Sequence, residues 1–372
     1  MMTCDYFGVC GSCTLHDKNY EEQLDYKVRQ IKEDFNIEDV DILTSQPANF
    51  RNRAEFKIYH DDDIITYAMS RLDKQGVIRI TDCSIVSETI ASIMTPLLSA
   101  LQKNPILEFR LFAIEFLSST TGELLITLIY HKKIDETWAE EAKKLAKEFD
   151  IMIIGRSRKI KIVLENDFIH DTIMIGDNPY QYKLYDTGFI QPNAKVNEKM
   201  ILWVKNKIEK TDKDLLELYC GHGNFTIPLA TQFRSVLATE ISKNSIKAAK
   251  ENCLLNDTEN ITFVRLSSEE LTSALKKERE FTRLRGIELD NFDFSHVFVD
   301  PPRAGLDEKT IDFIKDFDNI IYVSCNPKTL KRDLDILSKD FELKEFAVFD
   351  QFAYTHHLEC GIVLKKIKGD LR

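Results

Sequence analysis

A doubly wound parallel α/β sheet preceded by an α+β domain is the architecture the sequence predicts, and three observations carry it. From about Gln191 onward, short apolar runs alternate with amphipathic stretches in five β-then-α units. Two of these runs, Val297-Phe298-Val299 and Ile320-Ile321-Tyr322-Val323, are apolar throughout, as befits strands buried on both faces. Each ends in a polar, proline-stiffened segment, Asp300-Pro301-Pro302-Arg303 and Ser324-Cys325-Asn326-Pro327. Open α/β sheets bind ligands outside the carboxyl ends of their strands, so the two segments are expected to face one pocket.

The elements follow in order. Residues 1–15 are Cys-rich and irregular, and Tyr20 to Phe35 reads as a charged amphipathic helix with Leu24, Val28 and Ile31 on one side. Residues 1–48 are therefore assigned as a cysteine segment and helix. The α+β domain is assigned to 49–185, where β-like runs (56–59, 77–80, 124–130, 152–154) alternate with helical stretches at 86–102 and 135–149. Residues 186–372 hold the parallel sheet, with strands at 215–218, 235–238, 261–264, 297–299 and 320–323 and helices at 196–208, 226–232, 242–255, 308–317 and 328–338. Two last strands, 345–348 and 361–364, have no helix between them, which predicts that the final one is an antiparallel insert.

The 372 residues include 61 acidic and 50 basic side chains, a formal net charge of -11. That balance excludes a protein that coats polyanions nonspecifically, but it permits one basic face. Two candidate faces are Arg51, Arg53 and Lys57, and then Arg156, Arg158, Lys159 and Lys161; a solvated sheet surface has the same pattern. There is neither an apolar run of about 18 residues nor a secretory leader, so a cytoplasmic protein without membrane association is expected. Its eight cysteines are then reduced thiols, metal ligands or catalytic groups.

The turn after the first parallel strand reads Glu217-Leu218-Tyr219-Cys220-Gly221-His222-Gly223-Asn224-Phe225. Gly221 and Gly223 let the backbone approach a ligand closely, while the third glycine of a dinucleotide fingerprint is missing. Glu240 ends the next strand, where a carboxylate can accept hydrogen bonds from ribose hydroxyls. Turn and carboxylate together favour S-adenosylmethionine over NAD. Cys325 is the candidate nucleophile: its neighbours are polar, and the helix N-terminus that follows is expected to lower the thiol pKa. Between the last two strands stand His356, His357 and Glu359; adjacent histidines diverge on any regular element, which makes them a poor metal pair.

Taken together, Arg51–Phe56, Phe189–Asn193, Leu216–Phe225, Asp300–Gly305, Ser324–Pro327 and Asp350–Cys360 resemble the uracil-C5 RNA methyltransferases, most closely their tRNA branch. The resemblance implies a Rossmann-like class I methyltransferase sheet behind an RNA-binding α+β domain, with S-adenosyl-L-methionine as donor. It implies Cys325 as nucleophile and Glu359 as general base, and it puts Gln191, Tyr219, Gly221, Gly223, Asn224, Glu240 and Asp300 around the cofactor. His222 stands where the tRNA enzymes often carry Asn. Arg51, Arg53, Phe189 and Arg303 are the residues expected to touch RNA.

The implied substrate is the T-loop uridine in the T-arm of tRNA, with tmRNA as a second RNA, 23S rRNA as the alternative, and no protein partner. A non-enzymatic RNA-binding protein on the same fold is the remote alternative. At the N-terminus, Cys4-x5-Cys10-x2-Cys13, with Cys83 as fourth ligand, is similar to the [4Fe-4S] motif of the ribosomal-RNA uracil-5-methyltransferases. Zinc is the alternative occupant of four thiolates.

Overall fold

The structure, a computed structural model, describes residues 3–62 and 64–367, so the outermost ends of the 1–48 and 186–372 assignments lie outside the described residues. Helix α1 (Tyr20–Phe35) has the expected span. Its start is set by a capping box in which the Asn19 side chain accepts from the Glu22 amide and the Glu22 carboxylate accepts from the Asn19 amide, both at 2.9 Å. Strand β1 (Asp41–Leu43) follows.

Next come β2 (Arg53–Asp61), β3 (Ile64–Ser70), β4 (Val77–Ile80), α2 (Glu88–Gln102), α3 (Pro105–Glu108), β5 (Leu111–Ser118), β6 (Leu124–Tyr130), α4 (Glu136–Phe149), β7 (Met152–Ser157) and β8 (Ile160–Val163). They form a seven-stranded sheet in the order β4-β3-β2-β5-β6-β7-β8, parallel only between β6 and β7. Met94 and Leu97 of α2 and Trp138 of α4 pack with Phe56, Phe116 and Ile126 of the sheet in one apolar core. A hairpin, β9 (Phe168–Ile175) and β10 (Asn178–Tyr185), leads out of this unit.

The second unit contains α5 (Ala194–Asn206), β11 (Asp214–Leu218), α6 (Thr226–Leu229), β12 (Ser235–Thr239), α7 (Lys243–Leu255), β13 (Ile261–Val264), α8 (Ser268–Leu275), β14 (Phe294–Val299), α9 (Glu308–Ile314), β15 (Asn319–Ser324), α10 (Pro327–Leu337), β16 (Phe341–Phe349) and β17 (Glu359–Lys366). Its eight strands run in the order β1-β16-β17-β15-β14-β11-β12-β13. Strand β17 is antiparallel to both neighbours, as its helix-free connection predicts, and every other pair is parallel.

The cores do not follow the chain in the order that the linear assignment expects. Strand β1 is the edge strand beside β16, and Leu24, Val28 and Ile31 of α1 are buried in the same core as Val297, Ile320 and Val348. The β9–β10 hairpin shares its core with α5 and β11 rather than with the seven-stranded sheet's helices. Amides of β10 also donate to α7 and its C-cap, from Lys183 to Asn252 Oδ1 at 2.7 Å and from Gln181 to the capping Asn256 Oδ1 at 2.9 Å. The physical reason is that strand and helix faces are buried wherever a complementary apolar face exists, irrespective of chain order.

Candidate active site

Strand register assembles the site. Leu218 of β11 stands opposite Thr239 of β12 on one side and Val299 of β14 on the other. The next residue of each strand is therefore Tyr219, Glu240 or Asp300, which form one row across the carboxyl edge of the sheet. Turn geometry completes the row: Tyr219, Gly221 and Gly223 have φ of 62°, 56° and 87°. A left-handed non-glycine residue such as Tyr219 is uncommon and persists only where surrounding structure holds it. Here its hydroxyl is 3.1 Å from Ser268 Oγ.

Glu240 is anchored on both oxygens, accepting from the Gly221 amide at 3.2 Å and the Ser242 amide at 2.7 Å. Gln191 is buried, and its Oε1 has no hydrogen-bond partner. Asn224 lines a small cavity with Gln191 and His222. Its amide is committed to a reciprocal pair with Asn197 of α5, at 2.8 and 2.9 Å.

The antiparallel pairing of β15 with β17 sets Ser324 opposite Cys360. One step outward along both strands brings Cys325 beside Glu359. Glu359 is buried with Oε2 unpartnered, whereas Cys325 is only partly buried. Burial and the neighbouring Asp300 carboxyl push the Glu359 pKa up, and Asp300 is pushed up by its own burial. The thiol behaves differently from the lowered pKa the helix N-terminus predicts. Burial, then the Glu359 and Asp300 charges, push it up, and Arg303 acts in the opposite direction. Desolvation and two carboxyls outweigh one cation and a helix end.

Side chains of α10 tie the two motif loops together. Arg303 O accepts from Asn326 Nδ2 at 2.9 Å, the Leu306 amide donates to Asp333 Oδ2 at 3.1 Å, and Arg332 Nη2 donates to Leu306 O at 2.8 Å. Arg303 is exposed, and with Arg51, Phe56, Phe352 and His357 it lines a groove between the two sheet units.

Of the other residues expected at RNA, Phe189 is 73% exposed. Arg53 is not free: its Nε donates to Glu115 Oε1 at 2.7 Å, and its two amino groups donate to the carbonyls of Gly188 and Asp186. Through these bonds the guanidinium braces the loop before Phe189. Arg51 likewise donates from Nε to Arg53 O, at 2.8 Å, and lies within electrostatic reach of Cys13 and Cys83.

The 3–15 segment is laid against the β3–β4 region, with the Gly11 amide donating to Ser70 O and Ser84 Oγ donating to Thr3 O. Cys4, Cys10, Cys13 and Cys83 are thereby brought within electrostatic reach of one another, and all are free thiols. The donor chemistry suits a thiolate-bound metal, but among the described residues no three His, Cys, Asp or Glu side chains are set to hold a metal ion. That includes His356 and His357.

Residues 19–367 match the family model described as tRNA (Uracil-5-)-methyltransferase. The chain belongs to that family. It is 51% identical over 99% of its length to a tRNA/tmRNA (uracil-C(5))-methyltransferase of Aliarcobacter butzleri, covering 100% of that protein. It is 49% identical over 98% of its length to one from Sulfurovum sp., again covering all of it. In fold it is similar to the crystal structure of Pyrococcus abyssi tRNA (uracil-54, C5)-methyltransferase in complex with S-adenosyl-L-homocysteine, with a TM-score of 0.74, 23% identity and coverage of 96% of this chain and 86% of that one. The methyltransferase sheet expected from the sequence is thus the observed fold.

Sequence reasoning missed two features of this family member. Glu217, buried on β11 with Oε2 unpartnered, has its pKa pushed up to about 8 by burial. An acidic residue in an otherwise apolar strand, Leu215-Leu216-Glu217-Leu218, was the available signal. Lys27 and Gln23 of α1 both bond Asp350, and no local pattern announces a partner so distant in sequence.

Proposed function

We propose that the protein is a tRNA/tmRNA (uracil-C5)-methyltransferase that uses S-adenosyl-L-methionine and works through a covalent Cys325 adduct. The observation that carries the mechanism is the β15–β17 register, which sets a partly exposed thiol beside a buried, unpartnered carboxyl. Family membership and the names of relatives about 50% identical support the tRNA/tmRNA substrate over 23S rRNA. The T-arm reading rests on the uracil-54 specificity in the name of the Pyrococcus enzyme, and a cytoplasmic location is the reading that goes with a tRNA substrate.

C5 of uracil is a weak carbon nucleophile. In this reading Cys325 loses its proton to water through its exposed side, and Sγ bonds to C6, which makes C5 an enolate carbon. S-adenosyl-L-methionine, when bound, supplies the methyl group and leaves as S-adenosyl-L-homocysteine. Glu359 then removes the remaining C5 proton, and the electron pair expels Sγ from C6. The row of Tyr219, Glu240 and Asp300, with Gln191 and the Gly221–Gly223 turn, supplies the cofactor side. The target base has to leave its stack, at low cost in a loop, and the groove beside Arg303 and Arg51 is its route of entry.

Labelled S-adenosyl-L-methionine, with tRNA and rRNA transcripts in parallel, tests the reading. We expect methylated uridine in the tRNA, a trapped protein–RNA adduct with Glu359→Gln, and neither adduct nor product with Cys325→Ala. Product from Cys325→Ala at the wild-type rate overturns the mechanism.

For Cys4, Cys10, Cys13 and Cys83 we propose a structural [4Fe-4S] site, with zinc as the competing occupant. Four free thiols within electrostatic reach of one another support it, although as they stand no three of them are set to hold a metal ion. No redox step is required by C5 methylation, so the site's role would be to pin residues 3–15 to the loop around Cys83. Anaerobic purification with iron, sulfide and zinc analysis decides it; protein free of all three refutes the site.

A further inference from the structure

A second patch of aromatic and cationic side chains lies on the α+β unit, away from the groove of Arg303 and Arg51. At the start of β5, Phe112 remains 36% exposed and stacks on His131, ring centroids 4.0 Å apart and planes 19° from parallel. Lys132, Lys133, Arg156 and Arg158 line the same shallow recess. Nearby Phe109 is 61% exposed, with the Lys132 ammonium 5.3 Å and the Arg110 guanidinium 5.9 Å from its ring centroid. Among the described residues, Arg110, Lys133 and Arg158 have no carboxylate partner, although acidic residues outnumber basic ones in the chain.

This recess connects to the cofactor side of the site. Arg156 and Lys161 are cross-strand partners on β7 and β8, and both bond Asp186, Lys161 at 3.2 Å. Lys161 in turn lines a second pocket with Phe189, Gly221 and His222. Arg156 on the recess side and Lys161 on the pocket side, both paired with Asp186, thus join the two sites through one carboxylate.

We infer that this recess is an accessory RNA-binding surface that holds an unpaired nucleotide of the substrate RNA outside the loop carrying the target uridine. The inference rests on the RNA-methylation reading above. Unpaired cations suit phosphates, and an exposed ring already stacked on one side offers its edge and free face to a base; both contacts are indifferent to sequence. The substrate RNA is also the one polyanion already drawn to the adjoining site.

The test compares two RNAs, a full-length tRNA transcript and an isolated T-arm hairpin, with the variants Phe112→Ala/His131→Ala and Lys133→Gln/Arg158→Gln. For full-length tRNA the KM should rise about tenfold in either variant, the scale of losing one stacked base or two phosphate contacts, with kcat unchanged. For the hairpin, KM and kcat should match wild type, which also reports that the variants are folded. An unchanged KM for full-length tRNA, or an equal rise for both RNAs, overturns the inference. Wild-type protein that methylates neither RNA overturns the functional reading instead.

Discussion

Lys27 of α1 and Asp350 at the exit of β16 form a buried ion pair, 2% and 0% exposed, between residues 323 positions apart. Gln23 Nε2 donates to the other Asp350 oxygen at 3.0 Å, and Lys27 Nζ also donates to the carbonyls of Phe352 and His357 at 3.3 Å each. The loop from Asp350 to Leu358, which delivers Glu359 to β17, is therefore clamped by the first helix.

Removing one partner of that pair strands a charge in the interior. Lys27→Met should cost about 3–5 kcal/mol in denaturant unfolding, and Lys27→Met/Asp350→Asn should recover more than half of it. If the single variant unfolds at the wild-type midpoint, the pair does not secure the loop.

Acidity at the site makes adduct release depend on pH. Glu359 is raised by burial and then by Asp300, so the fraction able to accept the C5 proton grows as pH rises through the neutral range. Single-turnover release should quicken with pH, and Asp300→Asn should move that limb to lower pH by removing the second cause. A limb that stays put shows that Asp300 does not tune the base.

Glu217 gives the corresponding stability effect. Its pKa is raised in the folded protein from 4.5 to about 8, so the folded state binds more protons than the unfolded one across that window. Stability is fully retained below about pH 4.5 and falls as pH rises toward 8. Glu217→Gln should flatten this decline, leaving it on the order of 1–3 kcal/mol more stable than wild type at pH 8.5. Parallel thermal melts at pH 5 and 8.5 measure the difference.

Gly305 has φ of 76°, and a Cβ there would meet Arg332, Asp333 and Thr329 of α10 at 2.8–2.9 Å. Gly305→Ala should cost about 1–3 kcal/mol from backbone conformation alone. Because the displaced segment carries Arg303, kcat should fall at least tenfold, while binding of S-adenosyl-L-homocysteine, measured by calorimetry, stays near wild type.

Arg53 separates bracing from RNA contact. Arg53→Ala should lower stability by about 2–3 kcal/mol, through loss of charged hydrogen bonds to Glu115 and the 186–188 loop. The salt dependence of RNA binding should keep its wild-type slope; a slope smaller by about one ion would show a phosphate contact instead.

Locally encoded features were read well. α1 matched residue for residue because its amphipathic stripe and capping residues lie within one stretch of chain. The turn of Gly221 and Gly223 and the acidic strand ends Glu240 and Asp300 were legible for the same reason, since a parallel strand and the turn after it form a contiguous motif. Strand β5, Leu111–Ser118, was not anticipated: only one face packs on α2 and α4, and a register shift between Leu111 and Ala113 breaks its alternation. The β9–β10 hairpin was missed because its apolar positions are buried jointly by α5 and β11 and by Leu117, Leu125 and Ile154 of the seven-stranded sheet, partners that no local pattern announces.

By itself the sequence determined the α/β class, the order of the parallel strands' motifs, and the chemical types at the site: a thiol, a carboxyl and a glycine turn. Tertiary structure alone decided that Arg53 is a brace, that Asn224 belongs to Asn197, that burial raises the Cys325 thiol pKa, and that Lys27 reaches Asp350. The division has one physical cause. Helix stripes, caps and turns are set by neighbours a few residues away, whereas charge, desolvation and hydrogen-bond partners depend on which distant segments the packed core brings together.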